Sequence, residues 1–200
     1  LFSGTALTNT GKATAPEREQ KVKMLFDSNF AVYRERDDEG GARISSWDIN
    51  DAGGRLLDAA YLQMADQSEL FPIEAVRHFE NMTQGKAQLQ FAFYCSGCME
   101  GGGFQLRSGS EKIISLNMHS GFLWVNNIVL TTIGADTDYT VRIRLDFDTQ
   151  MADVYINETL AAGGVAFSLP EAGADNFYIS SGTAAVGQLA VRYARMHTGY

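Results

Sequence analysis

An indole ring, an amide and an imidazole are spaced along residues 114–127 so that they can project from one side of a β-hairpin. Apolar and polar residues alternate there with a period of two, and Ser120-Gly121 supplies a two-residue turn. Folding about that turn pairs Asn117 with Trp124 on the open face and places His119 beside the turn. Such groups stack on the apolar faces of sugar rings and hydrogen-bond sugar hydroxyls. The spacing therefore predicts a carbohydrate-binding surface.

The same alternation extends this predicted surface to other strands. If those strands are neighbours, they build one shallow face of aromatic rings, amides and guanidinium groups. The candidate ligand-binding residues are Trp124, Tyr94, Asn117, His119, Arg107, Gln105 and Asn126. The alternative is that Trp124 and Tyr94 pack under a loop or against a second domain, since aromatic residues on sheets also serve cross-strand packing.

Carboxylates do not form a recognisable catalytic pair in this sequence. A glycoside hydrolase needs two of them at a defined separation, and we interpret Asp146 and Asp148 as structural because they lie at a hairpin end among arginines. Three oxygen-bearing residues before Gly53-Gly54 could bind a structural Ca²⁺, although an Asx-rich turn is the simpler interpretation. These three are Asp48, Asn50 and Asp51. No other cofactor is expected.

The two cysteines, Cys95 and Cys98, lie in Tyr-Cys-Ser-Gly-Cys-Met. A zinc site would need two more ligands, and a redox motif would need a helix after the first cysteine. We expect either a loop closed by a local disulfide or two thiols, and neither indicates a compartment.

The elements that must position these side chains are strands. Gly, Asn, Asp and Ser turns separate alternating segments at a spacing typical of sandwiches, and no amphipathic helix is evident. The sequence therefore predicts an all-β fold with two antiparallel sheets of ten to twelve strands in total. We expect one domain over residues 1–200, with 1–16 as a loose lead-in. The clearest predicted strands are Leu89–Cys95, Phe104–Arg107, Lys112–His119, Phe122–Leu130, Tyr139–Asp148, Met151–Asn157, Asn176–Ser180 and Leu189–His197.

A second hairpin is predicted over residues 140–157, turning at Thr149-Gln150. That register sets Asp146 opposite Asp153 on the open side, with Arg144 diagonal to Asp153. On the core side it pairs Leu145 with Val154 and Ile143 with Ile156.

Composition bounds the partners. The chain has 200 residues, a net charge of −8 and a pI near 4.8, which argues against nucleic acid as the main partner because phosphate binding draws on surplus Lys and Arg. One local arginine could still hold an acidic sugar. No apolar run approaches the roughly 20 residues of a membrane span. Because the chain starts at Leu1 without a leader pattern, we expect a processed form or an excised segment.

Several segments together resemble the concanavalin A-like jelly roll, the sandwich of laminin-G-type modules and many glucan-active domains. They are FAFYCSG, GGGFQLRSG, IISLNMHSGFLWVNN, DYTVRIRLDFDTQMADVYIN and DNFYISSGT, followed by GQLAVRYARMHTG. The resemblance covers roughly residues 60–197 and implies a jelly-roll topology. Two positions depart from it: Asn157-Glu158 replaces the usual Asn-Gly, and Arg192-Tyr193 replaces an acidic residue of the last strand.

A lyase alternative follows from the same resemblance. Jelly-roll alginate-lyase-like enzymes carry an Arg, a Gln-x-His and a Tyr on one sheet, and Asn117-Met-His119 is similar in spacing to that Gln-x-His. By this resemblance Arg107 and Asn117 would neutralise a uronate carboxylate, His119 would take the C5 proton, and Tyr94 or Tyr155 would protonate the leaving oxygen. The Arg-x-Glu-Leu and Tyr-x-Lys-x-Gly-x-Tyr strands of those enzymes are absent.

The sequence and its resemblance thus predict a non-catalytic carbohydrate-binding or adhesion module of a larger extracellular or cell-surface protein that acts on polysaccharide. Its partner would be a polysaccharide or oligosaccharide, together with other domains of a longer chain. The alternatives are a polysaccharide lyase acting on a uronate polymer and a structural accessory domain without a ligand.

Overall fold

The structure is a computed structural model that describes residues 22–30, 46–52, 54–58, 61–68, 70–96, 100–183 and 187–200, with the backbone alone for 54–58. The predicted lead-in over 1–16 and Cys98 lie outside these residues. The described part holds fifteen strands and no helix. The strands are β1 Met24–Asn29, β2 Asp48–Asn50, β3 Gly54–Asp58, β4 Leu62–Asp66, β5 Glu74–Met82, β6 Lys86–Ser96, β7 Gly103–Ser108, β8 Glu111–His119, β9 Phe122–Val125, β10 Ile128–Thr132, β11 Tyr139–Asp146, β12 Met151–Ile156, β13 Thr159–Ala166, β14 Ala174–Ser180 and β15 Gly187–Thr198.

The strands form two antiparallel sheets that stack as a jelly-roll sandwich, as predicted. The eight-stranded sheet has the order β13-β12-β11-β6-β15-β4-β3, and β1 pairs with the far end of β15 beside β4. The seven-stranded sheet has the order β10-β9-β8-β7-β14-β5-β2. Strands β6 and β7 follow each other in sequence but belong to different sheets.

The core is built from the inward-facing residues of both sheets. Strand β6 contributes Phe91 and Phe93, which meet Phe104 of β7 at ring-centroid distances of 4.4 and 4.8 Å. Phe177 of β14 lies 5.3 Å from Phe91. Because alternate residues of a strand point to opposite faces, this packing leaves the residues between them on the outer faces.

The β8–β9 hairpin confirms the predicted register. Asn117 pairs with Trp124 and His119 with Phe122 on the outer face. Ser120 and Gly121 both adopt positive φ angles, 52° and 78°, as a two-residue turn of this twist requires. The inner pairs are also those predicted, Leu116 with Val125 and Met118 with Leu123.

Fifteen strands exceed the ten to twelve predicted, for two reasons. The predicted strand Phe122–Leu130 is a hairpin, because Asn126, with a φ of 52°, turns the chain between β9 and β10. Strands β2, β3 and β13 were not predicted, since the first two are short and the third contains Gly163-Gly164 in place of alternating apolar residues.

The predicted register of the β11–β12 hairpin is wrong by two residues. The turn spans Phe147–Gln150, because the Asp146 carboxylate accepts hydrogen bonds from the Asp148 and Thr149 N–H groups, both at 3.0 Å. Asp146 therefore pairs with Met151, and no aspartate faces another across the hairpin. The remaining pairs include Arg144 with Asp153, Ile143 with Val154 and Leu145 with Ala152.

A buried polar link ties one end of the sandwich together. The Ser181 hydroxyl donates to the Asp66 carboxylate at 2.5 Å and accepts from the Ile73 N–H at 2.9 Å. Asp66 and Ser181 are only 2% and 0% exposed, and each buried polar group thus has a partner. Within the described residues, no helix is long and apolar enough to cross a membrane.

Candidate functional site

The outward-facing residues form two separate surfaces. We call the outer face of the seven-stranded sheet the front face and that of the eight-stranded sheet the back face. The front face carries Trp124, Asn117, Ser115, Gln105, Arg107, Asn176, Tyr178, Ser180, Glu74, His78, Asp48 and Asn50. The back face carries Gln88, Gln90, Tyr94, Arg142, Arg144, Tyr155, Tyr193, Arg195 and His197.

The single shared face predicted from the sequence is therefore wrong for Tyr94. Tyr94 lies on β6, and its ring meets Tyr61 edge-on at a centroid distance of 5.8 Å. Tyr155, the other candidate proton donor, lies on the same back face between Arg142 and Arg144, whose guanidinium carbons are 4.2 and 5.3 Å from its ring centroid. The whole sandwich separates both tyrosines from Arg107 and Asn117.

An aromatic edge borders the front face at β9. Trp124 is half-buried, its indole N–H donates to the His119 carbonyl at 3.2 Å, and Phe122 meets its ring edge-on at 6.3 Å. Val129 of β10 pairs with Trp124 and is 44% exposed. The indole is thus held in place while part of its surface stays in contact with solvent.

A polar floor lies beside this edge. The Ser115 hydroxyl donates to the Asn117 side-chain oxygen at 2.9 Å, and in the described part of the chain the Asn117 amide N–H groups form no hydrogen bond. Gln105 and Ser115 are 9% and 6% exposed although they point away from the core. Gly103 adds no side chain between Asn117 and Ser180 in the same row.

A charged cluster occupies the far side of the front face. The Arg107 guanidinium lies over the Tyr178 ring, 3.3 Å from its centroid, and the Arg107 Nε donates to Gln105 Oε1 at 2.7 Å. The Tyr178 hydroxyl donates to the Glu74 carboxylate, which also accepts from the Asn50 amide at 3.2 Å. Sequence reasoning missed Tyr178 and Glu74. The alternation in Asn176–Ser180 could have placed Tyr178 on an outer face, but not beside Arg107.

Burial raises the pKa of Tyr178 above its usual value of 10.0, and the hydrogen bond to Glu74 raises it further. The pKa of Tyr178 is therefore higher in the folded chain than in the unfolded chain. The stability that Tyr178 contributes through this difference is complete below about pH 10 and is lost as the pH rises through the folded pKa. We expect wild type to lose stability relative to Tyr178→Phe as the pH rises above about 10, as measured by urea unfolding. Glu74→Gln should reduce this loss of stability above pH 10, because it removes the carboxylate whose hydrogen bond raises the Tyr178 pKa. Identical pH profiles of stability for wild type and Tyr178→Phe would contradict a raised pKa at Tyr178.

His119 does not join the charged cluster. It lies at the tip of the β8–β9 hairpin, where its Nδ1 bonds to the Glu100 carboxylate and its Nε2 lies 3.2 Å from the Ser120 hydroxyl. Gly103 pairs with Asn117, so His119 and Arg107 are six residue steps apart along the strand direction, about 20 Å. The lyase alternative requires Arg107, Asn117, His119 and a tyrosine hydroxyl to converge on one cleft, and they do not.

Two further predicted sites are occupied by protein contacts. Asn126 lies in a turn rather than on the open face, and its amide donates to the Ala166 carbonyl at 3.3 Å. The Asp48 carboxylate lies 3.2 Å from the His78 Nε2, and the Asn50 amide donates a hydrogen bond to the Glu74 carboxylate. No group of three or more His, Cys, Asp or Glu residues that could hold a metal ion occurs among the described residues. The structural calcium at Asp48, Asn50 and Asp51 stays a prediction.

A depression of about 500 Å³ lies away from the front face, beside β1 and the β5–β6 turn. It is lined by polar and charged residues such as Lys23, Glu80, Lys86 and Asp148, and no aromatic ring lines it. Sugar rings bind best where an aromatic platform meets polar groups, so we place the candidate site on the front face.

Comparison with known proteins supports the architecture. No family model and no curated protein sequence matches the chain. Among solved structures, basic winged bean lectin is similar with a TM-score of 0.60 and 10% identity, covering 90% of this chain and 99% of the lectin. The fold is the concanavalin A-like jelly roll.

Two further solved structures share this jelly roll. A sialidase is similar with a TM-score of 0.71 and 12% identity over 86% of this chain, which spans only 18% of the sialidase. A carbohydrate esterase from a Shiga toxin-encoding bacteriophage is similar with a TM-score of 0.60 and 15% identity, covering 90% of this chain and 100% of that one. At such low identity these similarities establish the fold only, and function has to be argued from the residues of the site.

Proposed function

We propose that this chain is a non-catalytic carbohydrate-binding module that holds a glycan on its front face, within a larger extracellular protein that acts on polysaccharide. The observation that carries the proposal is the half-buried Trp124 indole beside the Asn117 amide, in one row of the sheet. An indole face contacts the apolar C–H surface of a sugar ring, while neighbouring amides bond its hydroxyls. The names of the structural neighbours, a lectin, a sialidase and a carbohydrate esterase, agree with a sugar-related role.

A lyase built on the predicted residues is not supported by the geometry. Proton abstraction requires the base, the acid and the carboxylate-neutralising group to contact one sugar unit. His119 is about 20 Å from Arg107 along the strand direction, and Tyr94 and Tyr155 occupy the back face. Binding does not need that convergence.

A structural role remains the second candidate because of one observation. Ile128 and Val129, next to Trp124, are each 44% exposed, and exposed apolar groups beside an aromatic ring also suit a contact with another domain. An interface of this kind predicts self-association of the isolated chain and no glycan binding.

Replacing Trp124 with alanine is expected to weaken glycan binding by about 5- to 150-fold, because stacking a ring on an aromatic side chain contributes on the order of 1–3 kcal/mol. The measurement is a glycan array followed by affinity electrophoresis on the strongest ligand. The matched control is Tyr94→Ala, which removes an aromatic ring from the back face and should leave affinity unchanged.

The same pair of variants tests the choice of face. Loss of binding in Tyr94→Ala with full binding in Trp124→Ala would move the site to the back face. A wild-type chain that binds no glycan and self-associates would favour the structural role.

A further inference from the structure

Arg107 is held in a single orientation by its neighbours. Its guanidinium stacks on the Tyr178 ring at 3.3 Å, and its Nε is bonded to Gln105. These two contacts fix the plane of the guanidinium group and use its inner nitrogen. In the described part of the chain the two terminal nitrogens form no hydrogen bond, so the donor pair that grips carboxylates remains available.

The charge of Arg107 has no carboxylate partner within 4.0 Å among the described residues, although acidic groups lie nearby. Glu74 is bonded to Tyr178 and Asn50. Asp175 accepts from the Gly109 N–H at 2.9 Å and from Asn176 at 2.7 Å. Each of these carboxylates is hydrogen-bonded to other groups, and the half-buried guanidinium has no direct ion pair among the described residues.

A neighbour of Arg107 on the next strand adds a second positive charge. Lys112 is the cross-strand partner of Arg107 on β8 and is exposed, so a second cation flanks the same position. Arg107 lies on the same face as Asn117 and Trp124, toward the other end of the strands.

We propose that the front face selects sugars bearing a carboxylate, such as a uronic or nonulosonic acid unit, and that Arg107 is the specificity-determining residue that grips the carboxylate in a bidentate pair. This inference rests on the proposed function, because it assigns the ligand class of the same face. Planar, pre-oriented guanidinium groups suit this pairing better than a flexible ammonium group.

The test compares matched ligands that differ in the acidic group alone: sialyllactose against its methyl ester, and an oligo-uronate against its methyl ester. Wild type should bind the acidic member at least about tenfold more tightly, as expected for hydrogen bonds to a charged group. Arg107→Gln should remove that preference, because it weakens binding of the acidic member more than binding of the neutral one. Arg107→Lys should lose most of the preference too, because lysine keeps the charge but not the fork.

The control is Lys112→Gln, which also removes one positive charge, but from the exposed position that pairs with Arg107 on the neighbouring strand. A loss of preference in Lys112→Gln equal to that in Arg107→Gln would overturn the proposal in favour of general electrostatic attraction, as would full preference in Arg107→Lys. Equal affinity of wild type for acidic and neutral members overturns the carboxylate inference but leaves glycan binding intact. Failure of wild type to bind any sugar overturns the proposed function itself.

Discussion

Phe91→Ala is expected to lower the free energy of unfolding by about 3–5 kcal/mol, because it opens a cavity where the two sheets meet. Phe91 is fully buried on β6 of the eight-stranded sheet. Its ring lies 4.4 Å from Phe104 and 5.3 Å from Phe177, which both belong to the seven-stranded sheet. Strand β6 belongs to a different sheet from β7 and β14 and shares no hydrogen-bond ladder with either, so ring packing holds Phe91 against the other two rings. Urea unfolding followed by circular dichroism measures the loss.

The matched control for this prediction is Phe71→Ala. Phe71 is 58% exposed in the connection between β4 and β5, and removing its ring should change stability by about 0.5 kcal/mol or less. Equal losses from the two substitutions would contradict the assignment of Phe91 to the inter-sheet core.

Local features of the fold could be predicted from the sequence where pattern and turn chemistry agree. The β8–β9 hairpin is the clearest case, because strict alternation and the Ser120-Gly121 turn together admit one register. The β11–β12 hairpin shows the limit. Its alternation is as regular, but the Asp146 side chain stabilises a longer turn, and that shift moves every cross-strand pair by two residues.

The candidate site was predictable only in part, because strand order is a long-range property. Trp124 and Asn117 could be placed together since they share one hairpin. Tyr178 was not predicted beside Arg107, because β14 joins β7 from about seventy residues further along the chain. Tyr94 was assigned to the wrong surface for the same reason: β6 and β7 are adjacent in sequence but lie in opposite sheets. Hydrophobic alternation indicates which side chains point outward but not which outer face they share.

Gly102→Ala is expected to destabilise the protein by about 3 kcal/mol, the upper range for forcing extra volume into a packed region. A Cβ atom at Gly102 would lie 2.5 Å from the Ser181 carbonyl oxygen and 3.0 Å from that of Ser180, both backbone atoms of the segment that ends β14. Neither segment can move aside easily, since the Gly102 carbonyl accepts a hydrogen bond from the Met118 N–H at 2.8 Å and Ser181 is bonded to Ile73 and Asp66.

Gly163→Ala separates this close approach from the general effect of replacing a glycine. Neither glycine has a φ angle in the left-handed range, so backbone strain does not distinguish them. At Gly163 a Cβ atom would meet nothing closer than Asp153 Oδ1 at 3.4 Å. Because alanine has less conformational freedom than glycine in the unfolded chain, Gly163→Ala should be neutral or stabilise the protein by up to about 1 kcal/mol. The unfolding temperatures of the two variants should therefore shift in opposite directions from wild type, or differ from each other by several degrees. If Gly102→Ala unfolds at the same temperature as wild type, the loop before β7 must be able to move away from β14, and the front face would then lack the rigid floor that the proposed glycan binding by Asn117 and Trp124 requires.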